Sequence, residues 1–118
     1  MTAISRLLLI LSGFVGAAGV VAAAAASHGE SRNLSAIATI FLAHAPVLLV
    51  LAFHGRGRLL AGAALVLGLG TLLFGGDLAL REWAGHPLFP GAAPMGGGAM
   101  ILGWMSLVVA GLAGRSGT

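Results

Sequence analysis

The sequence predicts an all-α membrane protein: a single domain folded as an antiparallel four-helix transmembrane bundle. Three observations predict it. Four apolar blocks fill most of the 118 residues. Only 8% of the residues are charged, where a soluble domain carries about a quarter. Two of the three connections are short enough to hold consecutive helices side by side and antiparallel.

The blocks run from about Leu7 to Ala26, Leu34 to Phe53, Leu59 to Leu80 and Ala99 to Ala113. A hydrocarbon core about 30 Å thick is crossed by roughly 20 helical residues at about 1.5 Å each. No charged side chain interrupts the first, second or fourth block, and the third carries one, Asp77.

The first block also has features of a secretory signal: Arg6, an apolar core, then small residues from Ala22 to Ala26. Its apolar stretch exceeds the usual signal core of about 7–15 residues. The expectation is therefore a retained span.

The second block holds Pro46, which lacks an N–H and leaves the carbonyl of Leu42 without its helical donor. A kink is expected there. His44 stands beside it. Counting from Leu34 at about 1.5 Å per residue puts His44 some 15 Å deep, near the bilayer midplane. An ionisable group at that depth is a functional candidate by default. Proton relay, metal ligation and ligand contact are its functional readings. The bland reading is a neutral imidazole hydrogen-bonded to a neighbouring helix, the cheapest way to bury an ionisable group.

The third block ends near Asp77, with Arg81 four residues on. An i, i+4 ion pair is the most economical account of that carboxylate. His28, Glu30, Glu82 and His86 fall in the adjoining loops at the same end. His28, Asp77 and His86 are candidate ligands for an outward-facing Zn²⁺ or Cu²⁺ site. No metal motif such as H-E-x-x-H supports it, and clustering at the interface is expected of the few polar residues available. No metal or other cofactor is therefore expected.

The Arg81–Gly98 connection reads as a long loop, stiffened by Pro87, Pro90 and Pro94 and loosened by Gly91 and Gly96–Gly98. It is expected to cap the end of the bundle, with Trp83 and Phe89 in the headgroup zone. Met95, Met100 and Met105 are spaced five apart and do not share a helix face, so no methionine metal track is expected.

Spans in lipid associate through close packing of small residues. Candidate stripes are Ser12 with Gly16, Gly13 with Ala17, Ala64 with Gly68, Ala99 with Gly103, and Ser106 with Ala110 and Gly114. With 20 glycines in the chain, generic packing explains such spacing, and a dedicated dimer seam is the rival reading.

Charge sets the threading. Arg6, Arg56, Arg58 and Arg115 share one end; Arg32 and Arg81 share the other with all three acids. Positive charge marks the cytoplasmic side, so both termini are expected there, in a multi-pass inner-membrane protein. The six basic residues form no run, so nucleic acid is not an expected partner. The expected partners are the bilayer and either a second copy or a larger membrane protein.

Several short elements carry a resemblance. Ala25-Ala26-Ser27-His28-Gly29 resembles a G-A-H-G-like close of a first span. His44-Ala45-Pro46-Val47-Leu48-Leu49 resembles a second-span His motif, and Leu73-Phe74-Gly75-Gly76-Asp77-Leu78 an L-F-S-G-S-L-like third-span end. Pro94-Met95-Gly96-Gly97, followed by Gly103-Trp104, resembles a P-x-G-G…G-W fourth span. Together, over about residues 13–112, the chain resembles the domain of unknown function 423 family, also called transmembrane protein 256-like. Asp77 departs from that pattern, and the loop before Pro94 is longer. The resemblance implies a four-span integral inner-membrane protein and brings no activity or catalytic residue.

The functional expectation is a non-enzymatic structural or accessory membrane subunit. The alternatives are a proton-linked transporter using His44 and the outward-facing metal protein. The span count resembles that of small multidrug-resistance exporters, but the acidic first-span residue they rely on is missing.

Overall fold

The computed structural model describes residues 1–114 and contains four α-helices. They are α1 (Ala3–Ala26), α2 (Arg32–His54), α3 (Arg58–Trp83) and α4 (Ala92–Ala113). All four are long and apolar enough to cross a membrane. The shortest has 22 residues, or about 33 Å of helix, enough for a core about 30 Å thick.

Local chemistry sets the ends. Thr2 and Ser31 cap α1 and α2, their hydroxyls accepting from the backbone N–H groups of Ser5 and Leu34. At the close of α3, the N–H groups of Ala84 and Gly85 both donate to the Leu80 carbonyl. Gly85 has φ 79°, the left-handed geometry that ends helices and that lacks a Cβ penalty only in glycine.

The helix pairs are antiparallel, as their close approaches show. Between α1 and α2, Gly16 lies against Ala45, and Gly19 against Leu42. Between α2 and α3, Leu48 reaches Gly68 and the Phe41 ring lies over Gly75. Between α3 and α4, Leu67 meets Gly103, Gly70 meets Ala99, and Phe74 meets Gly96. In each pair the numbers rise on one helix as they fall on the other. Leu8, Val15, Leu48 and Leu67 fill the shared interior of α1, α2 and α3.

The fourth helix stands apart. No Cα atom of α4 lies within 8 Å of a Cα atom of α1 or α2, and its backbone packs on α3 alone. The bundle is therefore a three-helix core with α4 on its flank. Ile101, Leu102, Met105, Val108 and Leu112 of α4 face outward and are exposed.

One expectation is corrected. The fourth helix begins at Ala92 rather than Ala99, and the loop shrinks to residues 84–91. Pro94 stands at the third helical position, where a missing N–H costs no helical bond. Gly96 lies inside the helix because its bare face is packed on α3. A Cβ there would stand 2.6 Å from the Phe74 nitrogen and 2.8 Å from the Gly70 carbonyl oxygen. Tertiary contact overrides glycine's low helix propensity.

The helix α2 also runs unbroken through Pro46, which is exposed on its outer face. Of the small-residue stripes, Gly16, Ala64, Gly68, Ala99 and Gly103 serve contacts inside the bundle. Gly13 and Ala17 face outward. Met100 is buried while Met95 and Met105 are exposed, as their spacing implies.

Candidate functional site in the membrane interior

His44 is 5% exposed and both of its ring nitrogens are engaged. Nδ1 lies 2.8 Å from the Ile40 carbonyl oxygen, one turn back on α2. Nε2 lies 3.0 Å from the indole Nε1 of Trp104 on α4. A carbonyl only accepts and an indole N–H only donates. Nδ1 must therefore carry the proton and Nε2 must accept, which fixes a neutral tautomer. The rings meet edge to face, with centroids 5.6 Å apart and planes at 73°.

This pair crosses a gap that the backbones do not close. With the α4 backbone packed on α3 alone, the long Trp104 side chain makes the reach to His44 on α2. In lipid the interaction substitutes for two unsatisfied polar groups. A proton relay through His44 would have to displace Trp104 from Nε2 first. The neutral, hydrogen-bonded imidazole is what the geometry shows.

Asp77 is fully buried. Its Oδ2 accepts from Arg81 Nε at 2.8 Å, the expected i, i+4 pair, and its Oδ1 accepts from the Leu88 backbone N–H at 2.9 Å. A carboxylate without water needs such partners. The second bond draws the 84–91 loop back over the end of α3, and Leu88 packs beside Gly76. The loop is thus a cap with Asp77 as its anchor. Trp83 and Phe89 are exposed beside it.

The remaining candidates do not join these two centres. His28 is exposed in the α1–α2 connection. His86 is exposed, with Nδ1 2.9 Å from the Pro87 carbonyl oxygen. Among the described residues no three His, Asp or Glu side chains come together to hold a metal ion. The outward-facing metal reading built on His28, Asp77 and His86 is corrected accordingly. Asp77 is turned inward to Arg81 and Leu88, while both histidines stand on the surface.

Two contributors carry no role in the sequence reading. Trp104 figures there only as part of a family element. Its signal was available: an indole N–H inside an apolar span needs an acceptor, and His44 is the obvious one. Glu82 is the second. It accepts from Ser31 Oγ at 2.5 Å and from Asn33 Nδ2 at 3.4 Å, tying the end of α3 to the start of α2. No spacing in the sequence announces that pair, because 51 residues separate Ser31 from Glu82.

Comparison with known proteins adds no relative: no family model, curated protein or solved structure matches the chain.

Proposed function

We propose that this small membrane protein is a non-enzymatic structural or accessory subunit. It acts by packing against a second copy or a larger membrane partner. One observation carries the reading. Every buried side-chain nitrogen or oxygen among the described residues already has a hydrogen-bond partner inside the protein. His44 and Asp77 are consumed as described, Thr71 donates to the Leu67 carbonyl at 2.7 Å, and Ser12 donates to the Leu9 carbonyl at 2.8 Å. The interior polar groups hold helices in place, and the outer face of α4 stays free of protein.

The inner membrane is the proposed location, with both termini in the cytoplasm. Arg6, Arg56 and Arg58 at one end support this; Arg115, counted with them, lies outside the described residues. A retained first span belongs to the same reading, since Leu8 and Val15 of α1 are fully buried in the core. Kinship with the domain of unknown function 423 family is proposed on the motifs quoted above.

The test is purification from native membranes in mild detergents, followed by native mass spectrometry. The reading expects a homo-oligomer or a stoichiometric partner. A clean monomer across several mild detergents defeats it.

A further inference from the structure

A cavity of about 660 Å³ lies at the opposite end of the molecule from Asp77. It opens between the start of α1, the end of α2 and the turn into α3. Its lining changes character with depth. Thr2, Ser5 and Arg56 stand at the mouth, while Leu8 and Ala52, both buried, form the floor. Phe53 and Ala61 make the side walls.

Charge at this end has one sign. Arg6, Arg56 and Arg58 gather here, and all three acidic residues of the sequence, Glu30, Asp77 and Glu82, belong to the other end. The lone ion pair among the described residues is that of Arg81 with Asp77. No carboxylate side chain therefore competes for Arg56. The start of α3 adds to the same field. Gly57, which lines the cavity, caps the helix without any side-chain bond, so its first N–H groups have no capping side chain and add positive potential at this end. The Ser5 hydroxyl accepts from Thr2, which leaves its own proton to donate.

From this arrangement we propose that the cavity binds one anionic phospholipid. The phosphate sits at the mouth between Arg56 and the Ser5 hydroxyl. One acyl chain descends past Phe53 and Ala61 onto Leu8. A cationic rim over an apolar floor, at the end of a transmembrane helix group, matches the two halves of such a lipid and no soluble anion. Zwitterionic lipids share the chain but lack net charge to complement the rim.

The experiment is a lipid titration of delipidated protein read by native mass spectrometry. Phosphatidylglycerol and phosphatidylcholine of identical acyl chains are the probes. Wild type should hold one phosphatidylglycerol at least about fivefold more tightly than phosphatidylcholine, the ratio set by about 1 kcal/mol per arginine. Arg56→Gln, on an exposed turn, should abolish that preference. Ala61→Phe, which fills the cavity without changing charge, should weaken phosphatidylglycerol retention. Arg32→Gln, at the other end, should leave it intact. Equal retention of the two lipids overturns the proposal. So does a loss in Arg32→Gln as large as in Arg56→Gln, or an Ala61→Phe variant that binds like wild type.

Discussion

Trp104 on α4 donates its indole N–H to His44 Nε2 on α2 across 3.0 Å, although α4 packs its backbone only on α3. This bond is the polar tie that keeps the flanking helix in register with the core. Trp104→Phe should cost about 1–2 kcal/mol, because His44 Nε2 is left without a donor inside the protein. Reversible unfolding in mixed micelles measures it. The double variant with His44→Phe should lose less than the sum of the single changes, with a coupling of about 0.6–1.7 kcal/mol. Strict additivity would show that the pair does not interact.

The tautomer can be read directly. Nitrogen-15 spectra of labelled histidine should show His44 protonated at Nδ1 and bare at Nε2, because Ile40 offers an acceptor and Trp104 a donor. In Trp104→Phe the Nε2 signal should shift toward that of an unbonded imine nitrogen. A His44 protonated at Nε2 would contradict the geometry.

Asp77→Ala should release the cap. It removes both the charged partner of Arg81 and the acceptor of the Leu88 N–H. Arg81 is 42% exposed and regains water, so the stability loss should be about 1–3 kcal/mol rather than that of a stranded buried charge. Hydrogen exchange at the Leu88 amide should accelerate. Asp77→Asn keeps an acceptor for Leu88 and should protect that amide better than Asp77→Ala does.

Neighbouring glycines of α4 should respond in opposite directions. A Cβ on Gly96 would meet backbone atoms of Phe74 and Gly70, which cannot yield without separating the helices. On Gly97 it would meet nothing within 4 Å. Gly96→Ala should therefore lower the midpoint of thermal unfolding. Gly97→Ala should hold or raise it, since alanine gains up to about 1 kcal/mol of helix propensity over glycine. Equal effects would place the α3–α4 contact elsewhere.

The chain has no cysteine, so threading can be mapped by single introduced thiols. In intact cells, His28→Cys and His86→Cys should react with an impermeant maleimide. Thr2→Cys and Arg56→Cys should react only after permeabilisation. The reverse pattern would invert the proposed orientation.

How much was legible in the sequence depends on how far each feature reaches. The existence of four helices, their approximate spans and the Asp77–Arg81 pair rest on composition and on residues within one turn of each other. The neutral imidazole is one of four readings the sequence allows for His44, because periodicity places a residue at a depth but not beside a partner. The start of α4 is not legible locally, since Pro94 and Gly96–Gly98 signal a loop wherever local preference decides. Here the fit of Gly96 against the α3 backbone decided instead.

The sequence by itself determined the solvent of this protein, its helix count and which residues could not rest unpartnered in lipid. Those follow from hydropathy and from the hydrogen-bonding capacity of single side chains. Only the tertiary structure decided that α4 flanks a three-helix core, that Trp104 completes His44, and that Asp77 holds down a loop. Each is a contact between residues distant in the chain, chosen by shape where glycine lets backbones meet and by the need of every buried polar group for a partner.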